Sequence, residues 1–222
     1  MLSPEDGAEL EGHIQVFLAE KKFEGCAGLE ITDEMRVTIA AQACLLLLHR
    51  ETDYFPDLDV ILVDPHTYVA KTSSLLGGGV ALADEQARLG QSALGVVVLA
   101  WDAVRGGATG MRDGHNVTLH EFAHQLDQED GAADGAPVLG KRTMYTAWAH
   151  VLGDEFAHLV DDVDKHRKSD IDEYAATNPA EFFAVVTEMF FEKSVQLKGR
   201  HPQLYDQLAL FFHQDPAARA SA

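Results

Sequence analysis

His120-Glu121-Phe122-Ala123-His124 is an H-E-x-x-H pentapeptide inside a run of helical character, NVTLHEFAHQLD. On a helix of about 3.6 residues per turn, positions i and i+4 lie almost one above the other. Two imidazoles then share a face and can bind one Zn²⁺, while Glu121 between them can reach a water beside the metal. The motif therefore asks for a helix here and for a further ligand from elsewhere in the chain. A shuffled chain of this composition produces the pattern about 4% of the time, so its surroundings must decide what it means.

The chain has 222 residues, 46% hydrophobic and 24% charged, which suits a globular protein with a real core in one or two domains. Its longest apolar run, Ala43 to Leu48, is far shorter than the roughly 20 residues a bilayer span needs. The acidic start MLSPEDGAELEG has no basic n-region and no apolar h-region, so it predicts no signal peptide and a cytoplasmic location. Cys26 and Cys44 fit a reducing compartment; without CxxC spacing or a nearby histidine they read as buried or unreactive thiols. A net charge of −19 argues against direct nucleic-acid binding, because phosphate contacts need Lys and Arg. It is compatible with a basic or amino-terminal substrate group, and more simply with a solvated surface.

Periodicity predicts a helix over 3–21, capped by Ser3 with Pro4 in its first turn and an apolar stripe of Leu10, Ile14, Phe17 and Leu18. A second helix is expected over 33–50, with Asp33 as cap. Asp59 to Val63 and Gly95 to Trp101 read as strands. Residues 71–93 read as mainly loop with room for one added strand, and Gly77-Gly78-Gly79 lacks the G-K-[ST] of a phosphate loop. Further helices are expected over 116–127, 141–165, 178–192 and 202–213, with a turn-rich loop over 131–140 and a polar, Ala-rich tail. The expected fold is α+β and mostly helical, a small sheet beside the H-E-x-x-H helix. We take residues 1–222 as one domain, helical over about 1–55 and with the catalytic core over about 56–216.

A catalytic zinc usually takes three protein ligands and leaves a fourth position for water. A short-spacer motif would place the third at Asp130, but the glycine such a turn needs is Asp127 here. A facing helix is the better source, and 178–192 offers Glu181, Glu188 and Glu192. Glu181 and Glu188 share a face and Glu192 follows Glu188 by four, so periodicity alone leaves the choice open. Glu181 also has capping-box spacing from Asn178. Asp127 can orient a ligand imidazole or simply end the helix in water. His115 reads as a surface loop residue.

The stretches GLEITDEM (28–35), GQS and VVVLAWDAV (90–104), HEFAHQLD (120–127), IDEYAATNPAEFFAVVTEMFF (171–191) and HPQLYDQLALFFHQDP (201–216) together resemble the Mlc titration factor A family of zinc-dependent peptidases, relatives of the anthrax lethal factor catalytic domain. They cover most of the chain in order. The resemblance implies a zincin-like fold and a gluzincin-type centre with one Zn²⁺ on His120, His124 and Glu181. It implies Glu121 as the general base and Tyr174 as a donor to the developing oxyanion; without the resemblance, Tyr174 reads equally well as a tyrosine packed at a helix entry. The implied activity is hydrolysis of a peptide or protein substrate, aminopeptidase-like. Proteins resembling this family also titrate a transcriptional repressor, which makes a regulatory binding protein the second reading. A structural zinc protein fits poorly, since no fourth ligand is evident.

Overall fold

The computed structural model describes residues 2–66, 68–69, 87–88, 90–93, 95–109 and 113–221. Most of the loop expected over 71–93, including Gly77-Gly78-Gly79, lies outside the described residues. Helix α1 (Pro4–Glu20) starts where expected: Ser3 Oγ accepts the Asp6 N–H at 3.0 Å. Strand β1 (Lys22–Gly25) follows at once. It breaks the expectation of a purely helical segment to about residue 55, since only four residues form it and their sequence, KFEG, has no strand pattern. Helix α2 (Asp33–Leu45) is capped by Thr32 rather than Asp33 and stops short of residue 50. Beyond it the chain turns, with His49 at φ 64.

Strand β2 (Leu58–Asp64) leads to β3 (Tyr68–Val69), which pairs antiparallel with β4 (Ala87–Arg88). Strands β5 (Gly90–Ala93) and β6 (Gly95–Ala100) follow, then α3 (Trp101–Ala108) and α4 (Val117–Asp127). Trp101 thus opens a helix instead of closing a strand. Helix α5 (Arg142–Asp164), a 3₁₀ turn (Glu173–Ala176), α6 (Pro179–Glu192), α7 (Ser194–Arg200), α8 (Pro202–Phe212) and α9 (Pro216–Ser221) complete the order. The Ala-rich tail is largely helix. The protein is α+β and mostly helical, as expected.

The main sheet has the order β1-β2-β6-β5, parallel across the first three strands and antiparallel at β5. Ile61 sits beside Val97 and Val63 beside Leu99, all fully buried, so alternate residues of both strands line one packed face. Strand β6 is paired on both sides. Among the described residues the edge strand on that side is therefore β5, which packs beside α4.

One buried cluster runs from Phe17 to Ala217. At its centre Phe122, the first variable residue of H-E-x-x-H, packs on Phe55 and Phe17 with ring centroids 4.9 Å and 5.7 Å away. Phe122 and Ala123 are fully buried, with Leu119 and Leu126 1% exposed. Helix α4 is therefore held by its apolar back, and the histidine face is turned to α6. Among the described residues no helix is long and apolar enough to cross a membrane.

Candidate metal centre

Helix α4 is capped by Asn116, whose side-chain oxygen accepts the Leu119 N–H at 3.1 Å. One turn later come His120 and then His124, their rings 4.9 Å apart and nearly perpendicular. Helix α6 runs antiparallel beside them. Asn178 caps it through the Glu181 N–H (2.9 Å), with Pro179 in the first turn. The cap uses the Glu181 backbone and leaves its carboxylate to reach α4. Glu181 Oε2 stands 3.0 Å from His120 Nε2 and 3.4 Å from His124 Nε2, and the two Nε2 atoms are 3.2 Å apart. Among the described residues, His120, His124 and Glu181 are the group whose donor atoms converge tightly enough to hold a metal ion.

The cluster's electrostatics suit a cation. Burial alone would depress the His120 imidazole, but hydrogen bonds to Glu181 and Glu188 raise it well above its usual range. Burial would raise the Glu181 carboxyl, and the His120 and His124 contacts instead hold it far below. Two imidazoles and one carboxylate are also a borderline-soft set that suits Zn²⁺ or a neighbouring transition ion.

Glu121 is 5% exposed, and its Oε2 has no hydrogen-bond partner. Burial pushes its carboxyl up to about 7, against the lowering charges of His120 and His124 and with help from Glu181 and Glu188. Tyr174 lies in the 3₁₀ turn, its N–H donating to the capping Asp172 Oδ1 at 2.8 Å. Its ring lies 6.1 Å from that of His120, and the residue is 39% exposed. The structure therefore gathers all five expected residues at one place.

The other candidates lie elsewhere. Asp130 is exposed and accepts the Ala132 N–H (3.0 Å). His115 is an exposed loop residue. Asp127 is fully buried, and neither orients an imidazole nor ends the helix in water. Its Oδ2 accepts the Gly135 N–H (3.0 Å), and burial pushes the carboxyl up to about 6. The Gly135 carbonyl in turn accepts the Trp148 indole N–H (2.9 Å). These bonds tie the loop to the end of α4 and to α5.

Sequence reasoning missed what Glu188 and Glu192 do. Glu188 Oε1 stands 2.7 Å from His120 Nδ1, and its Oε2 accepts the Asn116 N–H. Glu192 Oε1 accepts from Asn116 Nδ2 at 3.2 Å. All three acids of α6 thus address α4. The available clue was their common helical face in an otherwise apolar run, but periodicity measures no distance to a second helix.

A convergent His-His-Glu group on two packed helices, beside a small mixed sheet, makes a candidate metal centre. The chain belongs to the glucose-regulated metallo-peptidase M90 family, whose model matches residues 1–213. It is 42% identical over 217 residues to the uncharacterized protein slr2042 of Synechocystis sp., covering 97% of this chain and 79% of that one. It is 32% identical over 226 residues to Mlc titration factor A of Serratia proteamaculans (99% and 85% covered). The Mlc titration factor A of Yersinia pestis strain Pestoides F is 29% identical over 226 residues (99% and 83% covered).

Proposed function

We propose that this protein is a zincin-like, zinc-dependent peptidase of the gluzincin type, acting on peptide or protein substrates in the cytoplasm. The observation that carries this reading is the convergence of His120, His124 and Glu181 beside a buried, unpaired Glu121 oxygen. His120 Nε2, His124 Nε2 and a Glu181 oxygen would hold the ion. A bound Zn²⁺ would polarise the scissile carbonyl and acidify a water at the site. Glu121, one residue from His120 and not needed as a ligand, accepts the proton of the attacking water and passes it to the leaving amine. Tyr174 donates its phenolic hydrogen to the oxyanion as the carbonyl is attacked. Strand β5, the sheet edge beside α4, is positioned to pair with an extended peptide.

An aminopeptidase-like preference is part of this reading, supported by family resemblance and an acidic chain. The decisive experiment incubates the zinc-loaded protein with a peptide library and reads cleavage by mass spectrometry. Glu121→Gln should retain zinc and lose turnover by about 10²–10⁴-fold. An inert wild-type protein, or an active Glu121→Gln variant, would end the hydrolase reading.

A second reading is supported by the name of the Serratia and Yersinia relatives: a protein that binds and titrates a transcriptional repressor. The surface rather than the metal centre would then do the work, and Glu121→Gln would leave repressor binding intact. The two readings are compatible in one molecule.

A further inference from the structure

Helix α6 buries alanine, valine and phenylalanine along most of its length, yet Glu188 in its midst is only 5% exposed. A carboxylate in such surroundings is costly unless its oxygens are hydrogen-bonded. Both are: Oε1 to His120 Nδ1 at 2.7 Å, Oε2 to the Asn116 N–H. The ring nitrogens of His120 face opposite ways. Nδ1 meets Glu188, while Nε2 meets Glu181 Oε2 at 3.0 Å and His124 Nε2 at 3.2 Å.

We propose that Glu188 is the positioning residue of the metal centre: it holds the proton of His120 on Nδ1, so that the Nε2 lone pair is presented to the ion. The proposal rests on the metal-site reading above and deepens it. A carboxylate on Nδ1–H fixes the tautomer, locks the ring rotation and makes the imidazole a stronger donor. The same carboxylate grips the N-cap residue of α4, so the ring plane is set relative to the helix that carries it. Glu192 supplies an internal control, because it binds the same Asn116 through Nδ2 at 3.2 Å, whereas His120 Nδ1 meets Glu188.

The test measures zinc affinity by chelator competition for wild type, Glu188→Gln and Glu192→Gln, with the melting temperature of each zinc-free protein alongside. Glu188→Gln should weaken zinc binding by about 10–100-fold, and Glu192→Gln by less than about threefold. A folded Glu188→Gln protein with wild-type zinc affinity would overturn the proposal. So would equal losses in both variants, which would make the acids mere supports for Asn116. In case Glu188→Gln does not fold, histidine-¹⁵N spectra of zinc-loaded wild type decide the matter. The proposal requires the His120 proton on Nδ1, and a proton on Nε2 would refute it. Wild-type protein that takes up no zinc would instead overturn the metal-site reading itself, a result distinct from a failure confined to Glu188.

Discussion

Three side chains from two helices make the candidate site, and each has a separate local reason to be there. His120 and His124 share a face because four residues make slightly more than one helical turn. Glu181 reaches them because Asn178 caps α6, so the acid's backbone is satisfied and its carboxylate is free to cross to α4. Removal of a ligand should therefore be separable from removal of a bystander. His124→Ala and Glu181→Ala should each lose stoichiometric zinc, and Asp130→Ala should retain it, as read by metal analysis after gel filtration. Zinc retained by Glu181→Ala and lost by Asp130→Ala would reverse the ligand assignment. At this scale the sequence was legible for the histidines, whose spacing encodes their geometry. It was not legible for Asp127, whose partner Gly135 lies across a loop of no regular pattern.

Among the elements, the 131–140 loop packs closely against the first turn of α6 at Gly135. Gly135 has φ +77, and a Cβ there would lie 2.4 Å from the Pro179 carbonyl oxygen. Gly131 also has positive φ, +87, but a Cβ there meets nothing within 4 Å. Gly135→Ala should cost roughly 2–4 kcal/mol in urea unfolding and Gly131→Ala about 1 kcal/mol, since only the first adds a backbone clash to the strain. Gly135→Ala should also weaken zinc binding, because Pro179 is two residues from Glu181. Equal costs would show that strain, not the clash, matters.

The C-terminal helices are tied by Asp215. It accepts from Tyr205 Oη (2.5 Å), Lys198 Nζ (3.0 Å) and the Ala218 N–H (3.0 Å). The tyrosine bond, opposed by burial and aided by the other donors, lowers its carboxyl from the ordinary 3.8. A lowered acid stabilises the fold fully above its unfolded value and loses that contribution as pH falls through the folded one. The melting temperature of Asp215→Asn should therefore trail wild type near neutral pH and converge with it in acid below about pH 4. A gap that stayed constant across that range would rule this out.

For the whole molecule, the buried cluster joins residues of α1, the sheet and every helix from α4 to α9. We propose a single domain, and expect one cooperative unfolding transition. Circular dichroism and tryptophan fluorescence should give the same urea midpoint, because Trp148 packs between Phe183 and Phe211 within the cluster. Two separate midpoints would divide the chain. Much of this architecture was legible in outline, since long helices and β6 carry strong periodic or β-branched patterns. Strand β1 and helices α3, α7 and α9 were not, being short elements whose form is imposed by neighbours more than by propensity.

By itself the sequence determined a helix with two histidines on one face, a second helix with three acids on another, and enough apolar residues to bury both. Only the tertiary structure decided that Glu181 meets the imidazole pair, that Glu188 takes the far side of His120 and that Glu192 reaches Asn116. Periodicity assigns a residue to a face of its own helix. Which atom it touches 61–76 residues away depends on how two helices slide and turn against a common core, and no local pattern records that offset.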